Sequence, residues 1–313
     1  MVYMLDIDII YGNPMNLAQL RAFHAVAAEG SFTRAARALG LSQPTLSAQV
    51  KALEDAHGLR LFERQGRIIQ PTELGRRLLA LTGRLVTLEE EIDTLLTGAR
   101  DQAAGALKIG TDTPVHAMAI LADLVKAHPH LTPSVSIGNA DSVLADLKAY
   151  RIDAAVMAGP PEGEEAFARV LVAEERLVAF LPREHALAGR AGLDLADLAG
   201  ESVVIRERGS VTRNAFEQAM AAAAVFPAAM MEVEGREAVR EAVLAGLGVG
   251  VVFESEFEAG TRLVALPLRD AGPAVAEYAV CLAHRRRLAA LRAFLDAARR
   301  RANALAKLRL SQV

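Results

Sequence analysis

The 313-residue chain has one cysteine and no tryptophan, and aromatic residues make up only 4% of it. A single thiol excludes an intramolecular disulfide and leaves no cysteine cluster to hold zinc. Cys281 sits in the apolar run EYAVCLAH, which reads as a buried strand, so a packing role is expected of it. No apolar run is long enough to span a bilayer. The opening MVYMLDIDIIYGNP lacks the basic start and small-residue cleavage site of an export signal. No membrane partner is expected, the cytoplasm is the expected compartment, and residues 1–14 read as an extension ahead of Met15. Catalytic signatures are also missing: GxSxG, GxxxxGKS/T and HExxH do not occur. GLGVGVV contains a GxG but neither a third glycine nor a following helix, so no cofactor is expected, and no metal. An enzyme is therefore the weaker alternative, as is an exported solute-binding protein.

Strong net charge is absent as well, at −3 overall, so nothing in the whole-chain balance attracts nucleic acid. The distribution is uneven. From Met15 to Arg84 ten Arg and Lys stand against five Asp and Glu, a local excess that suits phosphates. Apolar residues at 52% and charged residues at 23% are ordinary for a globular protein, and the length allows two or three compact units.

Pattern divides the chain into three regions. Residues 15–71 are dense in short helical segments. Leu17, Leu20, Phe23 and Ala27 share one helix face that ends at Gly30. SFTRAARALG forms a second helix, capped by Ser31. After a break at Gly40-Leu41, GLSQPTLSAQVKALE forms a third, capped by Ser42 and closed near His57-Gly58. LRLFERQGRIIQPT reads as two short strands around Gly66. Three helices with a tight turn, then a basic hairpin, describe a winged helix-turn-helix.

Residues 72–99 form one long helix with a strict seam. Leu74, Leu78, Leu81, Leu85, Leu88, Ile92 and Leu95 are spaced alternately four and three. That 3.5-residue period winds two helices together, so these residues are expected to pair two chains. Small residues and glycine at 100–106 read as a hinge. From Leu107 to about residue 303 strands and helices alternate, as in parallel βαβ units. Two α/β lobes are expected, lobe I at about 107–160 and 269–303 and lobe II at about 163–267. The chain would cross between them near Gly159–Gly163 and return near Pro267–Gly272.

The third helix has a peculiar first turn. Leu46, Val50 and Leu53 mark its buried side, whereas Gln43, Pro44, Thr45 and Ser47 place short polar or compact groups at its start. In a helix-turn-helix this turn faces base edges in the major groove. Gln43 can pair with adenine, Ser42, Thr45 and Ser47 can donate or accept, and Pro44 or Thr45 can touch a thymine methyl. Arg34, Lys51, Arg64 and Arg67 are placed to reach phosphates, which set register without reading sequence.

The segments LRAFHAVA, GSFTRAA, LSQPTLSAQVKALE, LFER and PTELG, in this order and spacing, closely resemble the DNA-binding end of LysR-type transcriptional regulators. The resemblance implies a multidomain α and α/β fold: a winged helix-turn-helix, a dimerisation helix and a two-lobed effector domain similar to periplasmic binding proteins. It implies a homodimer or homotetramer on double-stranded promoter DNA, with RNA polymerase as a further partner. One departure is Ala48, where many relatives carry Arg.

In such a regulator the second half holds a small effector between lobes. Helix starts suit an anion. IGTDTPVHAM places Thr111, Asp112 and Thr113 between a strand and a helix. IRERGSVTRNAFEQAM places Ser210, Thr212 and Arg213 at another start, with Arg206 upstream. Asn139, Glu234 and Glu237 add polar groups at further strand ends. REAVREAVLAGLGVGVV and the RGSVTR region resemble a subgroup associated with 2-aminoethylphosphonate catabolism. A phosphonate would take Arg206 or Arg213, and its ammonium Asp112, Glu234 or Glu237.

Overall fold

A computed structural model describes residues 16–65, 68–97, 103–159, 165–258, 260 and 262–310. The extension 1–14, Arg67 and the start of the expected hinge lie outside the described residues, as do the side chains of Arg64 and Leu95. Two compact units divide near residue 100.

The first unit begins with α1 (Leu17–Glu29), α2 (Phe32–Ala38) and α3 (Gln43–His57). Each start is capped as its sequence requires: Asn16, Ser31 and Ser42 side chains accept from backbone N–H groups of the first turns. Gly40, at φ +65°, supplies the left-handed residue that turns the chain from α2 toward α3. Phe23, Val26, Ala35, Leu46 and Val50 are buried among the three helices. The wing is an antiparallel pair, β1 (Phe62–Gln65) and β2 (Ile68–Pro71), in register from Phe62–Pro71 to Gln65–Ile68.

The long helix α4 (Glu73–Thr97) carries the expected seam, and the fold divides it. Leu78 and Leu85 are half-buried against the unit's own core beside Phe23, Leu53 and Leu79. Leu74, Leu81, Leu88 and Ile92 stay exposed. The seam therefore splits, with Leu78 and Leu85 facing the chain's own core rather than a partner and the other four facing solvent.

The second unit holds two five-stranded sheets. The first has the order β4-β3-β5-β12-β6, built from β3 (Gly105–Thr111), β4 (Leu131–Ile137), β5 (Ala154–Ala158), β6 (Phe167–Glu175) and β12 (Val275–Leu282). The second has the order β11-β7-β10-β8-β9, from β7 (Leu177–Pro182), β8 (Ser202–Arg206), β9 (Ala229–Val233), β10 (Val249–Phe253) and β11 (Leu263–Pro267). Helices α5 (Pro114–Ala127) and α9 (Ala289–Leu310) pack Ile120, Leu124, Phe294 and Ala297 on the first sheet. Helix α6 (Ala140–Lys148) follows β4. On the second sheet α7 (Val211–Ala223) packs Phe216 and Met220, and α8 (Arg236–Leu244) packs Val239 and Val243. Cys281 is fully buried in β12, and burial lifts its thiol to about 11, so it stays a protonated packing group.

Three expectations need correction. The sheets are mixed rather than parallel: β12 runs antiparallel to β5 and β6, and β7 antiparallel to β10 and β11. The first crossing between lobes falls at Arg176, not near Gly159–Gly163, because β6 pairs with β12 along its whole length. Strand composition does not say which sheet a strand joins. Finally, β3 begins at Gly105, inside the stretch read as hinge.

Candidate functional site

In the first unit, α3 presents Gln43, Pro44 and Thr45 to solvent while Leu46, Val50 and Leu53 turn inward. The polar turn is pre-ordered. Ser42 Oγ accepts from Thr45 N at 3.2 Å and lies 2.7 Å from Thr45 Oγ1, and Gln43 Nε2 donates to Ser47 Oγ at 2.9 Å. Lys51 is exposed two turns further on. Arg34 is exposed but engaged: its guanidinium donates to the Glu29 backbone oxygen and lies 3.5 Å from the Glu29 carboxylate. That tie fixes the α1–α2 turn and competes with a phosphate contact. Arg64 stands on β1, at the wing.

In the second unit, four helix starts converge where the sheets meet. A small cleft, with a free volume of about 10 Å³, is lined by Asp112 and Thr113 before α5, Asn139 and Ala140 at α6, Ser210 and Thr212 at α7, and Arg236 at α8. Thr113, Ser210 and Gly235 occupy the cap positions of α5, α7 and α8 without a side-chain cap bond, so these first-turn N–H groups are left for another acceptor. Gly235, at φ +85°, aims the start of α8 at the cleft.

Arg236 crosses the cleft. Its Nη2 donates to the Asp112 backbone oxygen and contacts the Glu256 carboxylate, while its buried Nε has no acceptor. Asn139 Nδ2 also bridges, donating to Arg208 O at 3.3 Å. Arg206 forms a two-point pair with Glu207, at 2.5 and 2.7 Å. Burial resists the charge on Glu207, but this pair and the Gly235 N–H hold its carboxyl down to about 2.

Behind Arg236 the lobes share buried acids. Thr113 Oγ1 lies 2.9 Å from Glu277 Oε1 and 3.1 Å from Asp112 Oδ1. One hydroxyl has one proton, so the second short contact needs a proton on a carboxyl. Burial, and then the charge of Asp112, push Glu277 well above the usual range. Burial lifts Asp112 to about 6 against the lowering effects of the Thr113 hydroxyl, Arg236 and the Ala158 N–H. Glu175 differs: burial opposes its charge, but His116 Nε2 at 2.8 Å and Ser255 bring it below the usual range.

The two regions match two family descriptions: "Bacterial regulatory helix-turn-helix protein, lysR family" over residues 17–76 and "LysR substrate binding domain" over residues 100–303. The chain belongs to the LysR family of transcriptional regulators. It is 36% identical over 258 residues to the RuBisCO operon transcriptional regulator of Allochromatium vinosum, covering 80% of this chain and 85% of that one. It is 32% identical over 297 residues to the HTH-type transcriptional regulator CbbR of Rhodospirillum rubrum, covering 92% and 98%. A full-length OxyR variant from Pseudomonas aeruginosa shares the fold at a TM-score of 0.77 and 24% identity, covering 91% and 95%. Like its relatives, this LysR-type protein is a DNA-binding regulator with an effector-binding domain, and it is not an enzyme. No helix among the described residues is long and apolar enough to cross a membrane.

Within the regulator's effector domain the cleft gathers Asp112, Thr113, Asn139, Arg206, Ser210 and Thr212 from the sequence-derived set. Four others fall elsewhere. Thr111 is buried at the end of β3, where its hydroxyl accepts from Thr113 N at 3.0 Å. Arg213 turns away from the cleft to Glu217 and Glu232, at 2.8 and 2.6 Å, and donates to Arg206 O. Glu234 is exposed on the loop before α8, and Glu237 faces a neighbouring cavity. A helix start offers several side chains, and only the exit angle of the helix decides which of them faces the cleft. Arg236, Glu256, Glu277, His116 and Glu175 were missed. Arg236 had a signal, the glycine before it at a strand-to-helix turn. The acids had none, because their partners come from elements distant in sequence: His116 of α5 meets Glu175 of β6 within the first lobe, and Glu256 meets Arg236 in the second.

Proposed function

We propose that this regulator reads an interrupted inverted repeat with the first turn of α3 and is switched by a small acid held between the lobes. The observation that carries the second half is the convergence of three uncapped helix starts on Arg206, Arg236 and the hydroxyls of Ser210 and Thr212. Both hydroxyls belong to buried residues. Fixed N–H dipoles and guanidinium groups are the partners an anion needs in a low-dielectric cleft. Because the cleft is nearly filled by Arg236, an effector has to draw that side chain from Glu256. Effector binding and lobe rearrangement are then one event, limited by the difference in affinity for the two states.

The group that meets the anion is a carboxylate or phosphonate. 2-Aminoethylphosphonate stays within this class as a test compound, although two of the relatives are named as RuBisCO regulators and none for phosphonate catabolism among those compared. Those names put RuBisCO promoters first among DNA fragments to try. RNA polymerase is the partner through which a bound regulator would act.

Calorimetry of the full chain against a panel of small carboxylates, phosphates and phosphonates tests the reading. Binding that Arg236→Met weakens by about 10-fold, the worth of one charged hydrogen-bonding partner, supports it; no heat with any acid at millimolar concentration rejects it. A pH dependence follows from Asp112. An anion placed beside it raises its pKa further, so binding takes up a proton, and affinity falls as pH rises through about 6. Between pH 5.5 and 7.5 the expected loss is about 3- to 10-fold. Asp112→Asn removes the slope, and binding heats that do not vary with buffer ionisation would contradict the linkage.

A further inference from the structure

Positive charge gathers a second time, far from the wing. Of the chain's 35 Lys and Arg and 38 Asp and Glu, residues 284–310 hold nine Lys and Arg against one acid, Asp296. With ten against five at 15–84, the rest of the chain keeps sixteen against thirty-two. The second basic run surrounds α9. Leu291, Phe294, Leu295 and Ala298 of that helix turn to the first sheet. Arg299, Arg300 and Lys307 are exposed on its other side, and Arg286 and Arg287 are exposed just ahead of it. At 1.5 Å per residue the three helical cations span about 12 Å. Arg299 is tied to Asp296, but both side chains are well exposed, so the pair is weak. Arg286, Arg287, Arg300 and Lys307 enter no ion pair among the described residues.

We propose that the outer face of α9, with Arg286 and Arg287, is a second DNA-contact surface, one that takes duplex phosphates without reading bases. The helix dipole does not account for these charges. It favours cations only in the last turn. Arg299 and Arg300 stand more than two turns before the end, and Arg286 and Arg287 precede the start, where a cation is disfavoured. The make-up of the face selects the partner. Between the cations stand Asn303, Ala304 and Ala306, and no large apolar side chain is exposed there among the described residues. A helix lying on a membrane needs Leu, Phe or Trp in the lipid, and a protein docking site needs an aromatic or aliphatic anchor. Phosphates need neither, and guanidinium groups suit them best. The acid excess over the rest of the chain repels a duplex, so only the basic faces can approach one.

The test is a salt titration of the full chain on a random-sequence duplex, read by fluorescence anisotropy with no effector present. A variant carrying Arg287→Gln, Arg299→Gln, Arg300→Gln and Lys307→Gln is expected to lower the slope of log affinity against log salt by about two or more, at about 0.9 for each lost phosphate contact. Its binding at low salt weakens by about 10-fold or more, on operator and random DNA alike. That pattern separates this face from the first turn of α3, whose loss falls on the operator. A control carrying Lys126→Gln, Arg176→Gln, Arg183→Gln and Arg262→Gln removes equal charge from exposed positions elsewhere on the second unit and keeps the parent slope. Arg287→Lys, Arg299→Lys and Arg300→Lys together keep it as well, because the charges remain. The proposal is overturned by an unchanged slope in the first variant, by an equal fall in the control, or by an equal fall in the lysine variant. An unchanged slope with lost binding to phosphatidylglycerol vesicles would overturn it in favour of lipid.

Discussion

Replacing Leu81 and Leu88 together by Glu leaves a folded regulator that sediments as a monomer and binds its operator about 100-fold more weakly, as expected when two tethered heads become independent. Leu81 is 60% exposed and Leu88 53%, one heptad apart on α4, so their loss removes nothing from the chain's own core. With Leu74 and Ile92 they make a continuous apolar stripe that a lone helix has no reason to keep in water. Two acids facing their symmetry mates would add repulsion to lost packing. Leu78 and Leu85 supply the contrast. They face the core around Phe23 and Leu53, so Leu78→Glu is expected to lower thermal stability of the first unit as well. Sedimentation velocity and fluorescence anisotropy on a labelled operator read both results. A double variant that remains dimeric at micromolar concentration would remove α4 as the pairing surface.

Gln43→Ala is expected to cost about 5- to 100-fold in operator affinity, the range for one lost bidentate base contact. Binding to unrelated DNA should hardly change, because that affinity comes from phosphates. Gln43 is exposed and its one hydrogen bond runs to Ser47 on the same helix face, so the substitution leaves the fold intact. Lys51→Ala should behave oppositely, weakening all sequences alike and reducing the salt slope by about one. Competition binding against mutated operators separates the two. Equal losses on specific and random DNA for Gln43→Ala would place that side chain on the backbone instead.

Arg34 shows how tertiary structure revises such a list. Its spacing from α3 suits a phosphate, yet in the fold it closes the α1–α2 turn through Glu29. Its removal is expected to act first on stability. The effector cleft shows the same effect more strongly. Asp112, Thr113, Ser210 and Thr212 were visible because they sit at strand-to-helix turns, a local feature. Arg213, one residue from Thr212, points instead to Glu217 and Glu232.

What the chain's order of residues determined by itself was everything written in a short period. The capped helix starts, the polar turn over a Leu46–Val50–Leu53 face, the seven-residue seam and the alternation of strands and helices are contacts between near neighbours. Helical and strand geometry convert such spacing directly into faces. Tertiary structure decided which sheet received β6, which seam leucines turned inward, and that Asp112, Glu277, Glu256 and Arg236 should meet. Asp112 stands more than a hundred residues ahead of the other three. Asp112 and Glu277 meet within the first lobe through Thr113, and Arg236 and Glu256 of the second lobe join them only where the two separately cored lobes meet.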